Sequence, residues 1–140
     1  MCIRDRYADV YTWCAGEGYV DYIIPQVYFG LEHGTHDFVS VCRTWSGIIQ
    51  TQKVTLLVGM TLGKAKSRED QWAGAGKYEW RDHRDVLARS LQTTRDLPHS
   101  QGVVFFCYQY FFHPLTGAPV VETAQEVNAL LPVLDAISWD

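Results

Sequence analysis

The chain has 140 residues, 47% of them hydrophobic and 14% aromatic, with a formal net charge of −4 at pH 7. That apolar content argues against disorder, and no apolar run approaches the roughly 20 residues a membrane-spanning helix needs. An acidic balance without a basic cluster argues against nucleic acid as a partner, since neutralising phosphates takes Lys and Arg. By length alone the chain fits one ordinary domain.

Residues 1–6 (Met-Cys-Ile-Arg-Asp-Arg) lack the apolar core and cleavage site of a signal peptide. They resemble the translated adaptor found at the start of some metagenomic reading frames, so they are treated as a non-native leader outside the fold. Residues 7–16 read as the end of a helix, with Tyr7, Val10, Tyr11 and Cys14 on one face and Gly16 and Gly18 stopping it. Residues 20–29 (Val-Asp-Tyr-Ile-Ile-Pro-Gln-Val-Tyr-Phe) predict a strand buried on both faces. Pro25 fits only if the strand is leaving the sheet there.

Asp37 is placed to cap an amphipathic helix whose inner face carries Phe38, Val41, Cys42, Trp45, Ile48 and Ile49. Residues 53–60 predict a second buried strand, and the polar stretch 61–80 a functional loop. Residues 82–97 form a helix with Val86, Leu87, Leu91 and Thr94 inward. Residues 102–107 are a third strand, 108–119 an aromatic loop, and 123–134 a last helix interrupted or kinked at Pro132. Cys2, Cys14, Cys42 and Cys107 show no CxxC spacing and read as free, buried thiols.

Helices alternate with strands, which implies a parallel α/β sheet. No strand is followed by GxGxxG or GxxxxGK[ST], which removes the nucleotide-binding motifs. A doubly wound sheet and a (β/α)8 barrel remain. The long polar and aromatic loops follow strand C-termini, the face on which barrels build their sites.

The segment Gly18-Tyr19-Val20-Asp21-Tyr22-Ile23-Ile24-Pro25-Gln26-Val27-Tyr28-Phe29 resembles the G-x-V-D-Y-I-x-P-Q-x-Y-W signature of the glycosyl hydrolase-like family 10 proteins. Phe38 and Trp45, Val54-Thr55-Leu56-Leu57-Val58-Gly59, Trp72, Val86-Leu87-Ala88-Arg89-Ser90-Leu91 and Gly102-Val103-Val104-Phe105-Phe106-Cys107-Tyr108 follow in the family's order. Phe29 stands where tryptophan is usual and Cys107 where serine is usual. The resemblance implies an α/β fold, the C-terminal portion of a (β/α)8 barrel comprising strands six to eight, over residues 7–140. It also implies an exported or envelope-associated parent that hydrolyses a polysaccharide such as bacterial cell-wall glycan. The 140-residue chain alone is expected to be inactive, because barrel strands without their neighbours leave open edges.

Glycosidases place two carboxyls across the scissile bond, about 5–5.5 Å apart to retain configuration and about 6.5–9.5 Å apart to invert it. Glu32, Asp37, Glu69, Asp70 and Glu79 lie in the active-face loops. Glu32, three residues past Phe29, is the best placed as a catalytic group. Asp37 reads as a cap, while Glu69 and Asp70 read as solvated. Gln26 and Tyr28 share one strand face and offer hydrogen bonds and a ring to a sugar. Among the loop aromatics Trp72, Tyr78, Trp80, Tyr108, Tyr110, Phe111 and Phe112, the expected glycan contacts are Trp72 and Tyr108, through stacking on pyranose C–H faces. His33 and His36 have weak metal-site spacing, and Cys107 with His113 lacks a third member, so no metal or cofactor is assigned. The partner is a polysaccharide or oligosaccharide. Two other readings stay open: a glycan-binding barrel without catalysis, and a small α/β domain of unrelated function.

Overall fold

The computed structural model describes residues 8–139. The leader at residues 1–6, with Cys2, and the inward position given to Tyr7 lie outside the described residues. Helix α1 (Val10–Ala15) begins at Asp9, whose carboxylate accepts from the backbone N–H and hydroxyl of Thr12. Cys14 faces inward as expected, but Tyr11 is turned to solvent. Strand β1 (Tyr22–Ile23) is followed by α2 (Phe38–Gly47), β2 (Thr55–Thr61), α3 (Gly63–Ser67) and a 3-10 turn (Gly74–Tyr78). Then come α4 (Glu79–Asp82), α5 (Val86–Arg95), β3 (Ser100–Phe106), two further 3-10 turns and α6 (Ala124–Ala136). Among the described residues no helix is long and apolar enough to cross a membrane.

The strands form one parallel sheet in the order β1-β2-β3. The strand expected over residues 20–29 is far shorter, and Pro25 explains why. In the observed register a continuous ladder would need an N–H at position 25 to reach the Leu57 carbonyl, and proline has none. Pairing resumes only as a single bridge between Gln26 and Gly59, built from Gly59 N–H to Pro25 O and Val27 N–H to Gly59 O, each 2.9 Å. Gly59 is required there, because a Cβ would stand 2.6 Å from the Pro25 oxygen.

A sheet built in sequential order with right-handed crossovers carries its connecting helices on one face. Leu56, Val58 and Met60 point to that face and are buried with Phe38 and Cys42 of α2, Leu91 of α5 and Leu130 of α6. Burial pushes the Cys42 thiol up to about 12, so it behaves as a small hydrophobe. Cys14, Cys42 and Cys107 are all free, although Cys107 is only half-buried.

The opposite face has no covering layer among the described residues. Register places Tyr22, Ile24, Leu57, Val104 and Phe106 on it, and Tyr22 is 59%, Ile24 40%, Val104 39% and Phe106 53% exposed. Within this chain β1 is covered on one side only, where burial on both faces was expected. Two further expectations need correction. Residues 61–80 are not an open loop but contain α3 and a 3-10 turn and run into α4. Pro132 does not interrupt α6. It and Asn128, whose carbonyl it leaves without a donor, are both exposed, so water can serve that carbonyl.

Candidate functional site

The loops that follow β1 and β2 are locked together, and Glu32 lies at their junction. The first loop runs from Gly30, whose carbonyl accepts from Phe38 N–H at 2.9 Å, to Asp37, which caps α2 through Ser40 N–H at 3.0 Å. That hydrogen bond holds the Asp37 carboxyl below its usual range, in keeping with its role as a cap. Gly34 N–H donates to Ala73 O at 2.9 Å, which joins the two loops directly.

Glu79, at the start of α4, completes the junction. Its side chain is buried, and its two oxygens accept from Leu31 N–H and Glu32 N–H, each at 3.0 Å. Removal from water pushes its carboxyl upward; the two amides oppose that, the Glu32 charge adds to it and Arg89 opposes it. Gly30 has no side chain because Glu79 fills the space a Cβ would take, and the Trp80 indole N–H, also buried, has no acceptor among the described residues. Gly76 is likewise pressed against the Glu32 carbonyl, where a Cβ would collide. The Glu32 carboxylate itself is about half exposed and meets His83 Nε2 at 3.2 Å. Glu32 is thus gripped by residues 76–83 at its amide, its carbonyl and its carboxylate.

The other loop carboxylates are accounted for structurally. Asp70 was expected to be solvated but is buried, paired with Lys64 Nζ at 2.9 Å and accepting from Trp72 N–H. Its partner is supplied by α3, six residues earlier in the chain but brought back by a helical turn. Glu69 is exposed and lies 3.6 Å from Lys77.

Gln26 is exposed on the bare sheet face beside Gly59, and Tyr28 stacks on Phe106 with ring centroids 6.0 Å apart. Burial raises the Tyr28 phenol above its ordinary value, with a smaller contribution from Cys107. Tyr108 is exposed at the start of the turn after β3, with its ring 5.4 Å from that of Phe112. Trp72 is 84% exposed, and its neighbour Ala73 carries the bond to the Glu32 loop. Tyr28 and Tyr108 therefore belong to the β3 end, and Trp72 and Glu32 to the joined β1 and β2 loops. Among the described residues no hydrogen bond or ring contact joins the two groups. Trp80 is core, whereas Tyr78 is an exposed ring covered by Arg81 at 4.1 Å.

Histidine chemistry is local. His33 Nδ1 accepts from Thr35 N–H and His36 N–H, so that nitrogen is engaged within its own loop. Among the described residues no three His, Cys, Asp or Glu side chains converge in a metal-binding group. A cleft of about 550 Å³ lies between α3 and the loop after β3, lined by Lys66, Gln109, Tyr110, His113 and Glu122 among others. None of Gln26, Tyr28, Glu32, Trp72 or Tyr108 lines it. His83 and the positioning of Glu32 by Glu79 went unread in the sequence. Glu79 was visible as a loop carboxyl, but nothing local marks a bond to amides 47 and 48 residues away.

The chain is 24% identical over 119 residues to "Glycosyl hydrolase DigH" of Escherichia coli O6:H1 (strain CFT073), a span covering 83% of this chain and 26% of that protein. Proteins of the same name from Escherichia coli K12 and Shigella flexneri are 23% identical over 119 residues. No family model matches the chain. The chain is a distant relative of glycosyl hydrolase-named proteins, and it spans about a quarter of their length.

Proposed function

We propose that this chain supplies strands six to eight of a (β/α)8 barrel of the glycosyl hydrolase-like family 10 kind. The whole protein, in this reading, hydrolyses O-glycosidic bonds in a polysaccharide, with bacterial cell-wall glycan as a candidate, and works outside the cytoplasm. The observation that carries the reading is the one-sided sheet. Sequential parallel strands with every connecting helix on one face, and an uncovered apolar face opposite, are what part of a singly wound barrel requires. The likeness to glycosyl hydrolase-named proteins supports the same conclusion.

Glu32 serves as one of the two carboxyls that glycoside hydrolysis uses. It lies in the loop after β1, is exposed enough to reach a substrate, and has its main chain fixed from both sides. Gln26 and Tyr28 bind sugar hydroxyls, while Trp72 and Tyr108 offer rings to the sugar faces. The second carboxyl of the pair comes from an earlier strand, outside this chain. The test is release of reducing ends from polysaccharide by the longer protein that carries this sequence. Hydrolysis by that protein and none by residues 1–140 alone is expected. Glycan binding without hydrolysis would instead favour a non-catalytic barrel, and hydrolysis by the 140 residues alone would overturn the division of the site.

A further inference from the structure

We infer that Glu79 is the positioning residue for Glu32: its buried carboxylate, with the bare backbone of Gly76, sets where the Glu32 side chain stands. This rests on the catalytic reading of Glu32 and deepens it. A side chain that acts on a glycosidic bond must be held to a fraction of an ångström, and an exposed glutamate on a loop tip cannot hold itself. Here the loop is fixed at the reacting residue's own peptide units. The Glu79 oxygens take the amides of Leu31 and Glu32, one each, so the carboxylate spans the peptide group that leads into Glu32. On the other side of the residue the Glu32 carbonyl lies against Gly76, where any Cβ would push it aside. Gly30 likewise leaves room for the Glu79 carboxylate itself.

Two glycines from different loops are thus spent on the same arrangement. Glu126 provides the contrast within the same chain. It too is buried and accepts two backbone amides, those of Val86 and Leu87, but these hold the start of α5 and lie outside the Glu32 loop.

The test uses the longer protein with Glu79→Gln, Gly76→Ala, Glu126→Gln and Glu32→Gln. Glutamine at position 79 retains one acceptor oxygen and loses the other, so one of the two amides is released. Alanine at position 76 displaces the Glu32 carbonyl while Glu79 stays intact. Both substitutions should raise hydrogen exchange of the peptide covering residues 30–33 by about tenfold, whereas Glu126→Gln leaves that peptide within about twofold of wild type. Glu79→Gln and Gly76→Ala should lower kcat by about 10- to 100-fold with KM held within about threefold, since they misplace a reacting group and leave sugar contacts in place. If Glu32→Gln abolishes hydrolysis but Glu79→Gln leaves kcat within about twofold, the positioning role is wrong and the catalytic reading stands. If Glu32→Gln has no effect on turnover, the catalytic reading fails first. Equal loss of protection at residues 30–33 in Glu126→Gln would reduce Glu79 to a general structural role.

Discussion

Val104→Lys tests whether the bare sheet face belongs inside a barrel. Val104 stands on β3 opposite Gly59 and is 39% exposed in this chain. Register puts it in one row with Gln26, across Gly59 of β2, with Leu57, Ile24 and Phe106 on the same face. On a solvated sheet the substitution costs no more than about 1 kcal/mol, the span of strand propensities. Inside a closed barrel the new ammonium has no partner among these side chains, and burying it unpaired costs about 3–5 kcal/mol. The face as a whole argues the same way. Tyr22, Ile24, Val104 and Phe106 are each about half exposed, so covering them is worth about 1 kcal/mol apiece, or about 4 kcal/mol together. Urea unfolding of the longer protein, with and without Val104→Lys, reads the cost directly. Light scattering on the 140-residue chain reads the converse, since a charge on a bare apolar face should reduce self-association. A loss below about 1 kcal/mol in the longer protein, with a monomeric, cooperatively unfolding chain before and after substitution, would refute the barrel placement.

Three further outcomes follow from the same structure. Glu126→Gln removes one acceptor from the buried amides of Val86 and Leu87 and should cost about 1–3 kcal/mol in chemical denaturation, with exchange rising first at the start of α5. Burial raises both the Glu79 and Glu126 carboxyls above 4.5, so between that value and their folded values the native protein holds protons the unfolded chain has released. Their contribution to stability must therefore fall as pH rises through that window, and Glu126→Gln should flatten the slope; a substitution that left the pH profile of unfolding unchanged would contradict this sign. Trp72→Ala should weaken oligosaccharide binding by about 1 kcal/mol, roughly fivefold, while leaving stability within about 0.5 kcal/mol, because the ring is 84% exposed. Titration calorimetry and thermal unfolding check the two halves, and a large stability loss without an affinity change would make Trp72 structural.

Elements whose causes are local were legible in the sequence. Asp37 and the apolar spacing behind it produced α2, and Val86, Leu87, Leu91 and Thr94 are buried as their helical spacing predicts. The second and third strands lie within two residues of where their β-branched runs put them. Features set by distant partners were not legible. The outer face of β1 looks like core by composition, because Tyr22 and Ile24 are the residues of a buried strand; what covers them is not encoded nearby. Asp70 and Glu79 look like ordinary loop carboxylates. Lys64 buries the first, and the Leu31 and Glu32 amides, brought close only by the sheet, bury the second. Pro25 was the exception: a local residue that correctly signalled where pairing would break.

The role of Glu32 is tested most directly by the turnover number of Glu32→Gln in the longer protein, with its fold verified by circular dichroism. Glutamine keeps the shape and the His83 contact but can neither give up nor accept the proton. In that variant kcat on polysaccharide should fall by about 100-fold or more. Turnover within about twofold of wild type would contradict it.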